Sequence, residues 1–162
     1  MEPLRVVCLS DTHLRRPSGL PQWCIRRLEG ADLILHAGDI VATAVLDELG
    51  RLARLEAVRG NMDEPVLRER LPKRRVVEIG GVRIGLVHDP GPALGRVARL
   101  LGLFPDCEVI VYGHTHVPEL TRFDRRLILN PGSPTSARTT LGPTMIELSI
   151  VEKVVEPVIV TP

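Results

Sequence analysis

The chain has 162 residues, 44% of them hydrophobic and 25% charged, with a formal net charge of +1. That length and apolar content suit one globular domain, residues 1–162, with a substantial core. The near-neutral charge offers no global field for nucleic acid or an anionic membrane, and Phe104, Phe123, Tyr112 and Trp23 are too few aromatics for a base-stacking platform, so long nucleic acid is disfavoured.

Cys8, Cys24 and Cys107 are odd in number, dispersed and never in a C-x-x-C pair, which argues against a disulfide framework and a thiolate zinc site. Cys8 and Cys107 fall in apolar strand-like runs and read as small buried thiols. Met1-Glu2-Pro3 leads directly into a strand, and no apolar run approaches the ~20 residues of a membrane helix. The expectation is a soluble cytoplasmic protein without a membrane partner. A homo-oligomer is left open.

In chain order, Leu4–Ser10 is a β-branched apolar run read as a buried strand, ending in Asp11-Thr12-His13. Pro21–Gly30 reads as a helix, Asp32–Ala37 as a strand closed by Gly38-Asp39, and Ala42–Gly50 as a helix with Val45, Leu46 and Leu49 on one face. Leu55–Val58 is a third strand, closed by Arg59-Gly60-Asn61-Met62-Asp63. This alternation implies right-handed crossovers and a parallel sheet, whose ligands collect at the carboxyl edge of the strands.

The second half is richer in strands. Arg75–Ile79 and Val82–Val87 form a hairpin over Gly80-Gly81, ending at His88. Leu94–Leu103 is a helix, and Cys107–Val111 a strand feeding Tyr112-Gly-His-Thr-His116. Residues 119–123, 127–129, 145–151 and 154–160 are expected to be antiparallel strands, with the turn Asn130-Pro-Gly-Ser-Pro134 between them.

His114 and His116, spaced i, i+2 in an extended segment, would project to one side, with Gly113 allowing a sharp turn before them. Of the five histidines, His13 and His88 also sit at strand ends; His36 lies inside a strand and is expected to pack or to support neighbouring ligands. Asp11, His13, Asp39, Asn61, His88, His114 and His116 together make an oxygen and imidazole donor set without thiolate. Such a set suits Mn, Fe, Co, Ni or Zn better than Ca. Seven donors exceed one tetrahedral ion but suffice for two sharing a carboxylate, an arrangement that serves in-line displacement at phosphorus. Taken singly, each Asp or Asn also reads as a turn residue or helix cap.

The ordered blocks Asp11-x-His13, Gly38-Asp39, Gly60-Asn61, His88 and Gly113-His114-x-His116 resemble the calcineurin-like metallophosphoesterases. The resemblance runs from about Leu4 to Ser133, and Val58-Arg-Gly-Asn-Met-Asp63 with Asn130-Pro-Gly-Ser133 is most similar to the compact YfcE-type phosphodiesterases. It implies an α/β fold, a four-layer αββα sandwich of two mixed β-sheets flanked by helices. It further implies two divalent ions, with Mn expected first and Ni, Co, Fe or Zn as alternatives. Asp11, His13 and His116 would hold one ion, Asn61, His88 and His114 the other, and Asp39 would bridge them. A metal-bridging hydroxide would attack a small phosphodiester substrate in line. Asp63 would lie near the cleft without binding metal.

Two departures stand out. Met62 occupies the position where larger family members carry a histidine that assists the leaving group, which predicts slow turnover and a bias toward good leaving groups. Asp89 follows His88 where related small enzymes commonly have glycine; an Asp-Pro turn is the expected role. Arg15, Arg16 and Arg59 flank the ligands and are candidate phosphate contacts. The rival expectation is a protein-binding scaffold with little catalytic activity, because the retromer scaffold subunit shares this fold; a regulatory protein sensing metals or a nucleotide is a third. All seven ligand positions are kept, which favours catalysis.

Overall fold

The structure, a computed structural model, describes residues 2–162. Its first half follows the expected alternation: β1 (Leu4–Leu9), α1 (Gln22–Leu28), β2 (Leu33–His36), α2 (Thr43–Leu52) and β3 (Leu55–Ala57). β1 pairs in parallel with β2, with Val6 opposite Leu33 and Leu9 opposite His36, and β2 pairs in parallel with β3. The antiparallel pair β9 (Met145–Val151) and β10 (Val154–Val160) adds to the free edge of β1, giving the order β10-β9-β1-β2-β3.

The second sheet has the order β4-β5-β6-β8-β7, from β4 (Arg74–Ile79), β5 (Val82–Val87), β6 (Val109–Tyr112), β7 (Glu119–Phe123) and β8 (Arg126–Asn130). Gly80 and Gly81 join β4 to β5 at φ 58° and 74°, the left-handed pair that a two-residue hairpin requires. Two further helices complete the chain, α3 (Pro65–Arg70) and α4 (Arg96–Leu103).

Alternation along the strands sorts side chains into three apolar layers. Val6, Cys8, Leu33 and Leu35 meet Ile84, Leu86, Val109 and Val111 between the sheets. Val7, Leu9 and Ile34 turn instead toward Cys24, Leu28, Val45 and Leu49 of α1 and α2, with Leu67 of α3 in the same layer. Ile110, Tyr112 and Ile128 pack against Leu100 and Phe104 at α4. Helices thus cover both outer faces, in the order α, β, β, α. Among the described residues, no helix is long and apolar enough to cross a membrane.

Three expectations are corrected. The last four strands are not uniformly antiparallel, since β8 runs parallel to β6 while pairing antiparallel with β7. Helix α3 is additional to the expected elements: its six residues bury only Leu67 and so carry no helical stripe to read. Cys107 is buried but precedes β6 rather than lying in it.

Candidate metal centre

The loops leaving the carboxyl ends of β1, β2, β3, β5 and β6 meet at one place. Past Leu9, the β1 and β2 chains stay in register without forming strand: Asp11 N–H donates to Gly38 O at 3.0 Å and His13 N–H to Asp39 O at 3.0 Å. This lateral pairing sets the two carboxylates beside each other.

Each carboxylate commits one oxygen to fixed donors and turns the other inward. Asp11 Oδ2 accepts the Ser10 hydroxyl at 2.7 Å and the His114 N–H at 2.9 Å. Its Oδ1 is buried without a hydrogen-bond partner, 3.3 Å from His116 Nε2, 3.7 Å from His13 Nε2 and 4.0 Å from His88 Nε2. Asp39 Oδ1 accepts the Met62 N–H at 2.8 Å, while Oδ2 lies 3.3 Å from His88 Nε2 and 3.4 Å from His13 Nε2. Burial by itself would push both carboxyls up. The His13 and His88 partners outweigh it, and both groups are held below the ordinary carboxylate range. In turn, the neighbouring Asp11 carboxylate raises His13; burial opposes a rise at His88, and the adjacent Asp39 carboxylate overcomes it.

Backbone carbonyls orient the imidazoles. His88 Nδ1–H donates to Ala37 O at 2.8 Å, and His116 Nδ1–H donates to Ser136 O at 2.6 Å. Each bond leaves Nε2 as a lone pair aimed at the carboxylates, the usual orientation of a ligating histidine. His88 Nε2 also lies 3.0 Å from Asn61 Oδ1, and the His13 and His116 Nε2 atoms converge to 3.2 Å. The His114 ring stands edge-on to His88 with centroids 5.3 Å apart.

Backbone strain concentrates in the same loops. Asp11, His13, Asp39, His114 and His116 all have positive φ, between 48° and 73°, and β-branched Val41 reaches 87°. Such conformations cost of order 1–3 kcal/mol each and persist where surrounding bonds impose them. His114 and His116 therefore do not lie in an extended segment as the sequence suggested; left-handed conformations on either side of Thr115 turn the chain, burying His116 and leaving His114 at the rim. Gly113 is needed for close approach rather than for its φ, because a Cβ there would sit 2.1 Å from Ser10 Oγ and 2.9 Å from Asp11 Oδ2. Gly60 is similar, its Cβ falling 2.0 Å from Asp39 Oδ1.

Asp11, Asp39, His88 and His116 form the buried floor, His13 is half-buried, and Asn61 and His114 stand at the exposed rim. Asp63 binds no member of the histidine group: its two oxygens accept Val41 N–H and Gly60 N–H, each at 2.7 Å, so it fixes the β3 loop against the β2 loop. His36 accepts the Gly38 N–H at Nδ1 and meets Thr12 Oγ1 through Nε2, both at 3.1 Å. Burial pushes it down to about 3, so it stays neutral beneath the site. Met62 projects outward, 56% exposed. The Asp89 carboxylate accepts the Gly91 N–H at 2.8 Å, an Asx turn before Pro90. Arg59 lines a cleft beside Asn61 and His88; Arg15 and Arg16 are exposed and do not line it.

Sequence reasoning missed the hydroxyls that support the site. Ser133 Oγ–H donates to Asp11 O at 2.7 Å and accepts the Ser136 N–H at 2.7 Å, while Thr135 Oγ1–H donates to Thr12 O at 2.6 Å. Asn130 Nδ2 reaches Gly113 O at 3.2 Å and Thr115 Oγ1 at 2.9 Å. The loop after β8 thus holds both the Asp11 loop and the histidine loop. Asn-Pro-Gly-Ser at a strand end was the available signal.

The donor set fits divalent metal. Asp11, His13 and His116 offer ligand atoms within 4.8 Å of one another, as do Asp11, Asp39 and His88. A buried carboxylate oxygen without a donor, facing three imidazole nitrogens, is a costly arrangement that a cation satisfies. Nitrogen and oxygen donors without thiolate suit borderline divalent ions.

Comparison with known proteins agrees. The family model described as "Calcineurin-like phosphoesterase superfamily domain" matches residues 4–153. A "Probable metallophosphoesterase" of Methanothermobacter thermautotrophicus is 39% identical over 145 residues, 88% of this chain and 83% of that protein. A conserved Streptococcus pneumoniae protein described as a predicted phosphoesterase shares the fold at 24% identity and TM-score 0.76, covering 99% of this chain and 91% of the other. Entamoeba histolytica Vps29, solved in complex with zinc, is similar at 26% identity and TM-score 0.71, with 96% and 98% covered. The chain belongs to the calcineurin-like phosphoesterase superfamily.

Proposed function

We propose that the chain acts as a single-domain, dinuclear-metal phosphodiesterase on small substrates in the cytoplasm, with manganese as its first-choice metal. The observation that carries this reading is Asp11 Oδ1, buried, unpartnered and faced by three imidazole nitrogens. In this reading Asp11, His13 and His116 would hold one ion, Asn61, His88 and His114 the second, and Asp39 would be shared. When bound, the ions supply Lewis-acid charge that acidifies water and neutralises phosphoryl oxygens.

The chain's own residues set the remaining terms. Asp39 is suited to sharing because its Oδ2 lies between His13 and His88 while the Met62 N–H holds Oδ1. Asn61 and His114 stand where a phosphoester would enter. Met62 carries no proton to give, so the leaving group departs on its own acidity, which favours activated diesters.

The test is hydrolysis of bis(p-nitrophenyl) phosphate with Mn²⁺ or Ni²⁺ by wild type, Asp39→Ala and His88→Ala. Activity lost in both variants is the expected result. A wild type that binds metal yet is as inert as the variants would favour the scaffold reading, which draws on the likeness to Vps29.

A further inference from the structure

We infer that the cleft beside Asn61 and His88 is an anion subsite, in which Arg59, Arg68 and Lys73 recognise a second phosphate on the substrate. The inference rests on the phosphodiesterase reading and narrows its substrate class to small diesters that carry an additional phosphate group.

The cleft has a volume of about 410 Å³ and is lined by the three cations together with Asn61, His88 and Asp89. That volume lies within the roughly 300–1,000 Å³ of small-molecule sites. Two bonds fix the wall that carries the cations: Arg59 N–H donates to Pro72 O at 2.9 Å, and Arg59 Nη1 donates to Arg68 O at 2.7 Å. The loop after β3, the end of α3 and the turn before β4 are thereby tied together. Cations from all three segments face one space adjoining two of the proposed metal ligands.

Two nearby arginines are paired with carboxylates. Arg70 pairs with Asp47 at 3.6 Å, and Arg75 pairs with Glu56. Among the described residues, no carboxylate lies within ion-pair distance of Arg59, Arg68 or Lys73, although acidic residues nearly equal basic ones in number, 20 against 21. Asp89 is the one acid in the lining, and its Oδ1 is engaged by the Gly91 N–H. The lining therefore keeps an excess of positive charge. Complementing the carboxyl end of α3 accounts for Arg68 and for the one Arg59 donor that reaches Arg68 O, but not for Lys73 on the flanking loop or for the rest of the Arg59 guanidinium. Guanidinium and ammonium groups without a carboxylate partner, beside the proposed phosphoryl-transfer site, match a phosphate in both charge and donor geometry.

The experiment compares thymidine 3′,5′-bisphosphate with thymidine 5′-monophosphate by calorimetric titration of the Mn²⁺-loaded protein. Wild type is expected to bind the bisphosphate about tenfold more tightly, the gain of one charge-assisted contact pair. Arg68→Gln/Lys73→Gln should erase that preference. Arg122→Gln/Arg125→Gln, which removes the same charge from β7 and the β7–β8 turn, should keep it. Equal binding of the two nucleotides by wild type, or loss of the preference in the Arg122/Arg125 variant, would overturn the subsite. Thymidine 5′-(p-nitrophenyl phosphate) turnover is measured alongside. Turnover without bisphosphate preference overturns the subsite and leaves the reaction standing, whereas preference without turnover supports the subsite and counts against the reaction.

Discussion

His88 and Ala37 are joined across the two sheets: the Nδ1–H of His88, just past β5, donates to the carbonyl of Ala37, just past β2, at 2.8 Å. One bond therefore ties the sheet edges together and aims Nε2 at Asp39. A cation held among these groups would bind the folded chain and not the unfolded one, so metal and stability are linked.

Chelator-treated protein should consequently melt at a higher temperature when Mn²⁺ is restored. At free metal a hundredfold above Kd the stabilisation is about 2.7 kcal/mol, and for a chain of this size that is a rise of roughly 5–10 °C. His88→Ala should lose most of the rise. A melting temperature indifferent to Mn²⁺ in wild type would exclude the metal-binding role.

The second prediction concerns Ser133, whose hydroxyl donates to Asp11 O and accepts from Ser136 N–H. Removing it leaves the buried Asp11 carbonyl and the N–H groups of Thr135 and Ser136 short of a partner and loosens the carbonyl that orients His116. Ser133→Ala should destabilise the metal-free protein by about 1–3 kcal/mol and weaken metal binding about tenfold or more. Urea unfolding and a competitive chelator titration measure the two effects. A Ser133→Ala protein of unchanged stability and unchanged metal affinity would show that the loop after β8 is not a support.

These supporting bonds mark the boundary of what the sequence revealed. Apolar runs ending in Asp11, Asp39, Asn61 and His88 could be read directly, because a parallel sheet gathers its strand ends whatever the distance along the chain. Ser133 and Asp11 are 122 residues apart and joined through a backbone carbonyl, so no spacing or composition announces them. The error over His114 and His116 has a related cause. A strand-like reading follows from β6, but the left-handed φ of both residues is imposed by contacts such as His114 N–H to Asp11 and His116 Nδ1–H to Ser136, made with distant segments. The parallel β6–β8 pairing was equally hidden, since β7 intervenes in sequence but is placed at the sheet edge.

Met62 gives the third prediction. Its side chain is exposed at the mouth while its N–H is committed to Asp39, so a larger polar side chain can be placed there without disturbing the carboxylate. Met62→His should accelerate hydrolysis of poor leaving groups by up to roughly 10²–10⁴-fold and change activated aryl esters little. The readout is the dependence of kcat/KM on leaving-group pKa, which should flatten in the variant. Parallel dependences for the two proteins would exclude a missing acid as the limit on rate.

The fourth prediction concerns acid sensitivity and His36. Burial holds this ring neutral down to about 3, against an ordinary value of 6.5. Above pH 6.5 folded and unfolded chains both carry it neutral, and it adds no pH dependence. Below that, the unfolded chain takes up a proton that the folded chain refuses, and stability falls by about 1.4 kcal/mol per pH unit. In metal-free protein His13 and His88 run the opposite way, because their raised values give stability that is present at low pH and lost as pH rises through them. Comparing wild type with His36→Asn at each pH cancels those contributions. The variant, whose amide oxygen can still accept the Gly38 N–H, should be less stable at pH 7 by about 1–3 kcal/mol for the lost Thr12 bond and packing. The gap should then narrow as pH falls from 6.5 to 5, because only wild type carries the protonation penalty. Urea midpoints that keep a constant separation across that range would show that His36 does not titrate as its burial requires.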